Sequence, residues 1–282
     1  MKKSFNVILA VLLCTALLFG CTPIATVAHV SGQLSAHYID VGQGDSEFIE
    51  FPDGQTMLID AGVPEAGDTV VNYIKKLGYS KIDYVVATHP HEDHIGGMAQ
   101  VIKAFDIGSV YMPKVSTNTK TYENLLQTIK DKGLTIKTAK AGVQIREGAE
   151  ILSPIDDKYS DLNQYSAVIR ITFGNNHFLF MGDAGKPVEK ELTGDLSADV
   201  LKVGHHGSDT ATSKAFVAAV NPKIAIISCA KVNDYGHPHQ VTLNTLNAAG
   251  VAIYGTYVSG TITVTSDGNK IAIDAQPISA KK

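Results

Sequence analysis

The run Thr88-His89-Pro90-His91-Glu92-Asp93-His94-Ile95-Gly96-Gly97 constrains this chain more than any other feature. It follows Asp83-Tyr84-Val85-Val86-Ala87-Thr88, a short β-rich segment that reads as a buried strand, and it enters a helix expected from about His94 to Phe105. Four ligand-type side chains, His89, His91, Asp93 and His94, fall within six positions. Pro90 biases His89 toward extended backbone, so His89 and His91 project to the same side. Asp93 and His94, at the start of the helix, face the same space from the other wall. Imidazoles and carboxylates so arranged suit zinc or manganese. The bland alternative is a polar loop with coincidental histidines. The density of ligand types, the strand before them and the Gly-Gly after them count against it.

Two further histidine pairs have the same setting. Of ten histidines, seven lie in three short loops. His205-His206 follows the expected strand Asp199–Val203, and His237-Pro238-His239 is again extended by proline. His37 and His177 sit within strands and read as satisfied structural residues; His29 has no assigned role. Elsewhere the pattern predicts strands at 36–41, 46–51 and 56–60, with Pro52-Asp53-Gly54 as a turn. A helix capped by Asp68 runs to about Gly78, and Val110-Tyr111-Met112 is another strand. A helix from Tyr122 to Lys132 lies in the lysine-bearing segment 114–140. Strands 167–173 and 177–181, strand 223–228, helices near 212–220 and 241–249, and a terminal hairpin over 261–274 complete the reading. Strands and helices alternating in this way imply an α/β domain with two sheets and helices outside.

The N-terminus reads as a leader rather than as part of the fold. Lys2 and Lys3 precede the apolar run Val7–Leu13 and Leu17-Leu18-Phe19, which is too short to span a bilayer stably. Leu18-Phe19-Gly20-Cys21 resembles a bacterial lipobox, so residues 1–20 are expected to be removed and Cys21 to be lipidated. A plain signal peptide or an uncleaved anchor is the alternative. Residues 21–34 would be a tether, 35–276 a single domain and 277–282 a tail. Of the three cysteines, Cys14 leaves with the leader and Cys21 is acylated. Cys229 then remains as a small core residue, without a partner for a disulfide. Loss of two lysines and no acid moves the formal net charge from −4 to −6. That excludes a grossly basic nucleic-acid binder and a polybasic membrane patch.

His-x-His-x-Asp-His is the signature of the metallo-β-lactamase superfamily, and the wider set of motifs is similar to the hydrolase domain of the ComEC competence proteins. That set is Asp40-Val41-Gly42-Gln43-Gly44-Asp45-Ser46, Leu58-Ile59-Asp60-Ala61-Gly62, Phe180-Met181-Gly182-Asp183, Lys202-Val203-Gly204-His205-His206-Gly207-Ser208 and Asn233-Asp234-Tyr235-Gly236-His237-Pro238-His239. The paired late histidines also look like those of the phosphorylcholine esterases. The resemblance implies a four-layer αββα sandwich, single domain, with two divalent ions, zinc or manganese. His89 and His91 would hold one ion, Asp93 and His94 the other, and Asp183 would bridge them. One of His205 and His206 would complete the second site; His206 is preferred, leaving His205 to touch substrate. Asp93, His205 and His237 are the implied catalytic positions, His237 as a proton donor, ligand or phosphate contact. Asp60 would orient the metal loop. Asp40, Gln43, Asp45, Asn163, Ser166, Ser208 and His239 are the implied supporting or substrate positions. The chain departs from the wider superfamily in having no histidine between Ile95 and Asn176, where others supply a further ligand; Asn163-Gln164-Tyr165-Ser166 stands there instead. The first ion would have an open shell, as in catalytic rather than structural sites.

The expectation is therefore an exported, lipid-anchored hydrolase facing outside the cytoplasm of a bacterial cell. It would cleave phosphodiesters, extracellular DNA among them, with no protein partner inferred. A phosphorylcholine-esterase-like or other hydrolase of cell-envelope substrates is the alternative. A true β-lactamase and a non-catalytic binding module are weaker ones. The ComEC-type membrane channel segments are absent from the sequence, so no DNA-uptake role follows.

Overall fold

A computed structural model describes residues 32–278. The expected leader, Cys21, most of the tether and the last four residues lie outside the described residues. The chain opens with an antiparallel meander, β1 (Leu34–Tyr38), β2 (Glu47–Glu50) and β3 (Thr56–Ile59). Three crossovers extend it: α1 (Gly67–Lys76) leads to β4 (Lys81–Val86), and α2 (Glu92–Ile95) with α3 (Met98–Ala104) to β5 (Asp106–Met112). Next, α4 (Lys120–Asp131) leads to β6 (Ile136–Thr138), and β3 to β6 run parallel. A second sheet starts antiparallel with β7 (Gln144–Arg146), β8 (Ala149–Ser153), β9 (Val168–Phe173) and β10 (Asn176–Phe180). It continues parallel through α5 (Lys186–Glu191), β11 (Val200–Lys202), α6 (Lys214–Val220), β12 (Ile224–Ile227), α7 (Gln240–Ala248) and β13 (Ala252–Gly255). A short α8 (Thr256–Ser259) returns the chain to the first sheet, where β14 (Ile262–Ser266) pairs with β1 and β15 (Ile271–Ile273) with β14.

The sheet orders are β15-β14-β1-β2-β3-β4-β5-β6 and β13-β12-β11-β10-β9-β8-β7. Strand alternation splits the apolar residues into layers. Ala36 and Tyr38 of β1, Met57 and Ile59 of β3, and Phe178 and Phe180 of β10 fill the space between the sheets, where Tyr38 stacks on Phe180 at 5.9 Å. Leu58 of β3 and Val85 of β4 face the other way, onto Val70 and Ile74 of α1, Ile102 of α3 and Leu125 of α4. Leu179 and Leu201 pack on Val188 and Phe216, and Ala225 and Ile253 on Val217 and Leu246. Helices thus cover the outer face of each sheet, the αββα order.

Some local expectations differ. Asp68 does not cap α1, which starts at Gly67 after Ala66; Asp68 lies in its first turn. The single helix expected over 94–105 is broken into α2 and α3 at Gly96-Gly97. There the Gly97 amide bonds Gly62 O at 3.1 Å, and a Cβ on Gly97 would lie 2.4 Å from Ala61 O. Close approach to the Asp60 loop, not helix continuity, sets that backbone. β6, β7, β8, β13 and α5 were not anticipated: they are short, and β6 is exposed throughout, so no periodicity marks it.

All three histidine loops meet at one edge of the sandwich. His89–His94 follows the carboxyl end of β4, Asp60 that of β3, Asp183 that of β10 and His205-His206 that of β11. Carboxyl ends of parallel strands are where open α/β sheets gather ligand groups.

Candidate metal centre

The His89–His94 loop is held from behind. Asp60 is fully buried with φ 54°, a left-handed backbone that a non-glycine residue adopts at a cost. The strain aims its carboxylate: Oδ1 accepts from the Thr88 amide at 2.8 Å, and Oδ2 lies 2.6 Å from the Thr88 hydroxyl and 2.7 Å from His94 Nδ1. His89 Nδ1 lies 3.1 Å from Thr88 Oγ1 and 3.4 Å from Ser166 Oγ. Ser166 Oγ also accepts from the Asp183 amide at 3.1 Å, tying the two sheets together at the site. His206 Nδ1 lies 3.0 Å from Ser228 O and 3.2 Å from Asp45 Oδ1. With each Nδ1 occupied, His89, His94 and His206 turn Nε2 inward, the usual way a ligating imidazole is oriented.

Asp183 joins two clusters. Its Oδ1 lies 3.2 Å from His94 Nε2 and 3.4 Å from His206 Nε2; Asp93 Oδ2 stands 3.2 Å from that same His206 nitrogen. Its Oδ2 faces His89 Nε2 at 3.8 Å and His205 Nε2 at 3.6 Å, and His91 Nδ1 lies 3.0 Å from His89 Nε2. Two donor groups compact enough for a cation result: His89, His91 and Asp183, and His94, Asp183 and His206 with Asp45. Asp45 is the exception within the second. Its Oδ1 is on the Nδ1 side of His206 and its Oδ2 is 2.7 Å from Lys202 Nζ, so it orients the histidine and is spent on the lysine. Asp93, whose Oδ2 stands 3.2 Å from His206 Nε2, is the candidate for the fourth place instead.

The electrostatics fit cations. Burial alone would lower His94, yet Asp183, Asp93 and Asp60 raise it well above the usual imidazole value. Burial likewise opposes ionisation of Asp183, but His206 and His94 hold it well below the ordinary carboxylate range. His206 is pushed up to about 10: burial lowers it, and Asp183 and Asp45 outweigh that. The protein thus concentrates negative field on inward nitrogens. His94 Nε2 and Asp183 Oδ1 are buried without a hydrogen-bond partner, a costly state unless an ion engages them. Divalent ions would satisfy both.

The clusters floor an open cleft of about 350 Å³. His91, Asp93, Asp183, His205 and His206 line it together with Gln43, Asn163, Glu92, Tyr235 and His237. Gln43 Nε2, Asn163 Oδ1 and His237 Nδ1 are further buried polar atoms lacking a protein partner. Burial, then His206, His205 and His239, lower His237 to about 4, so it is uncharged at neutral pH. His205 and His206 have φ 50° and 53°, and this strained pair places one ring on each side of Asp183. His205 Nδ1 is backed by Thr210 Oγ1 at 2.8 Å.

Like Asp45, Asp60 and Ser166, three more of the expected supporting residues stand outside the cleft. Asp40 accepts from the Gly42 amide and shapes the loop carrying Gln43 and Asp45. Ser208 bonds Thr210 and so stands behind His205. His239 spends Nδ1 on the Asp209 amide and Nε2 on Tyr235 O. Sequence reasoning assigned no role to Lys202, although a lysine inside the apolar strand Val200-Leu201-Lys202-Val203 is itself a signal. Thr88, Thr210, Glu92 and Tyr235 carried no comparable mark. His37, 2.7 Å from Glu50 and 2.9 Å from the Tyr73 hydroxyl, is distant from the centre.

Residues 39–231 match the family described as Metallo-beta-lactamase superfamily. The chain is 31% identical over 256 residues to ComE operon protein 3 of Bacillus subtilis, a stretch covering 83% of this chain and 33% of that protein. It therefore spans about a third of that relative's length. A shorter stretch of 73 residues, 23% of this chain, is 36% identical to Ribonuclease J of Synechocystis sp. and covers 11% of it. The fold is similar to that of Tm1679, a metal-dependent hydrolase of the beta-lactamase superfamily, with TM-score 0.55 at 14% identity over 81% of this chain and 98% of the other.

Proposed function

The chain belongs to the metallo-beta-lactamase superfamily and is a metal-dependent hydrolase related to the ComEC-type competence proteins, and on that premise we propose that it cleaves phosphodiester bonds, with DNA outside the cytoplasm as its substrate. The observation that carries the reading is Asp183. Its two oxygens face two separate sets of imidazoles at the floor of an open cleft. His89, His91 and Asp183 Oδ2 would hold one ion; His94, His206, Asp93 and Asp183 Oδ1 the other. A pair of divalent ions supplies Lewis acidity and acidifies water toward pKa about 7, giving a nucleophile at neutral pH.

The chain's own residues do the rest. Asp60, Ser166 and Asp45 fix the imidazoles, so the donor set needs no rearrangement when substrate binds. His205 Nε2, Asn163 and the Gln43 amide surround the place where a tetrahedral phosphoryl group would sit. The first cluster has two histidines where the wider superfamily has three, which leaves room for a substrate oxygen. His237 is neutral at pH 7 and acts there as a hydrogen-bonding group on the leaving side, not as an imidazolium acid. The local likeness to Ribonuclease J supports a phosphodiester over a β-lactam.

We also place the enzyme at the outer face of the cell membrane, tethered through a lipid on Cys21. The support is the Lys2-Lys3 start, the short apolar run and the Leu18–Cys21 motif. Among the described residues no helix is long and apolar enough to cross a membrane. Blocking lipoprotein processing should release or mislocalise the chain, as Cys21→Ala should.

The activity test offers metal-loaded protein DNA, bis(p-nitrophenyl) phosphate, p-nitrophenyl phosphorylcholine and nitrocefin side by side. Turnover of DNA and the bis-ester is expected, with loss of about a hundred- to a thousandfold in Asp183→Ala by the usual weight of such groups. Turnover of the phosphorylcholine ester alone would replace DNA with a cell-envelope substrate; turnover of nitrocefin alone would overturn the phosphodiester reading.

A further inference from the structure

One wall of the cleft is unexplained by metal binding. The loop from Ala230 to His239 connects β12 to α7 and carries Tyr235 at the mouth of the site. Asn233 ties this loop down with four bonds. Its Nδ2 donates to Ala230 O at 2.9 Å and His237 O at 2.8 Å, and its Oδ1 accepts from the amides of Tyr235 at 3.2 Å and His237 at 2.9 Å. Tyr235 O is held as well, 3.0 Å from His239 Nε2. On this fixed backbone the Tyr235 side chain is left open: the residue is 64% exposed, and its hydroxyl makes no hydrogen bond among the described residues. The ring stacks on His237, nearly parallel at 18° with centroids 5.4 Å apart, and the residue lines the cleft. A rigid loop holding an aromatic ring that stabilises little by burial is the arrangement of a binding surface, since the ordering cost of a stack is then met in advance.

We propose that Tyr235 is a stacking platform for the nucleobase next to the scissile phosphodiester, a specificity residue rather than a structural one; this rests on the phosphodiester reading above. Rings of His237, Tyr235 and the base would form one continuous stack, with the sugar-phosphate directed down toward Asp183 and His205. A planar ring fits better than a quaternary ammonium. Recognition of such cations uses several aromatic faces in a cage, and among the described residues Tyr235 is the one phenol or phenyl ring lining this cleft. Stacking on a single aromatic side chain is tolerant of base identity, so the platform favours nucleic acid over simple diesters without imposing sequence.

The test compares the full protein with Tyr235→Ala and Tyr235→Phe on two single-stranded oligonucleotides of equal length, one normal and one of abasic sugar-phosphate. The quantity read is the ratio of kcat/KM on the normal strand to that on the abasic strand. Tyr235→Ala should lower this ratio about 5- to 150-fold, the equivalent of about 1–3 kcal/mol for one stacked base. Tyr235→Phe, which keeps the ring and loses the hydroxyl, should stay within about threefold of the wild type, a change of under about 1 kcal/mol. An unchanged ratio in Tyr235→Ala, with both strands still cleaved, overturns the platform and leaves the phosphodiester reading standing. An equal fall in Tyr235→Phe also overturns it, because the hydroxyl and not the ring face would then be responsible. A wild type that cleaves neither strand overturns the phosphodiester reading and the platform with it.

Discussion

Lys202 is completely buried, and its Nζ meets Asp45 Oδ2 at 2.7 Å and Val203 O at 3.0 Å. Asp45 in turn faces the outer nitrogen of His206. Breaking a buried pair by removing one partner leaves an uncompensated charge and costs about 3–5 kcal/mol. Lys202→Met should therefore lower the urea midpoint by that equivalent and weaken divalent-ion affinity about 10- to 100-fold, as loss of an orienting group does. Adding Asp45→Asn should recover stability but not affinity; recovery of both would show that Asp45 orients nothing. The pH dependence follows from Asp45. Burial opposes its ionisation, but Lys202 and His206 bring it below its usual 3.8. Its stabilising contribution is thus present in full above the unfolded value and fades only as pH falls through the lower folded one, so acid unfolding measured by circular dichroism should begin below about pH 4. Cys229, raised to about 12 by burial, should resist thiol reagents in native buffer and react on unfolding. The ligand histidines were legible from sequence because imidazoles and carboxylates at close spacing carry their own chemistry. The Lys202–Asp45 pair was not, because its members stand 157 positions apart: a lysine in an apolar strand signals a buried charge without naming its partner.

Elements matter here through their ends. β4, β10 and β11 each deliver a donor, and β3 the orienting Asp60, within a few residues of their carboxyl termini. The break between α2 and α3 leaves no room for a side chain, since a Cβ on Gly97 would meet Ala61 O at 2.4 Å and Gly67 Cα at 2.8 Å. Gly97→Ala should destabilise by about 1–3 kcal/mol through overpacking. It should also weaken metal binding, because Ala61, whose amide donates to the His94 carbonyl at 2.7 Å, must move. Calorimetry and a metal titration on one sample would check both; a drop in stability alone would separate the break from the site. Long periodic helices and alternating strands were readable. The helix break was not, because Gly-Gly fits a helix pattern until a second chain segment approaches, and neither were β6 and β7, which have too few residues for a period to show.

At the scale of the whole molecule, two sheets must dock before any site exists, because the donors are divided between them. Asp60, His89, His91, Asp93 and His94 come from one sheet, Asp183 and His206 from the other. Ion binding therefore links the halves and favours only the folded state. At ion concentrations about 100-fold above Kd that linkage gives about 2.7 kcal/mol per ion, or a rise in Tm of about 5–10 °C for each, which chelation should reverse. The two-sheet architecture was expected from the alternation of strands and helices, whereas the division of labour between Asp183 Oδ1 and Oδ2 was not, since no spacing encodes the rotation of one carboxylate. The most direct test of the account is ion stoichiometry, read by elemental analysis of protein equilibrated with zinc or manganese. Two ions per chain in the wild type, about one in His91→Ala and close to none in Asp183→Ala are the expected values. A wild type that takes up a single ion, or an Asp183→Ala variant that keeps two, would contradict it.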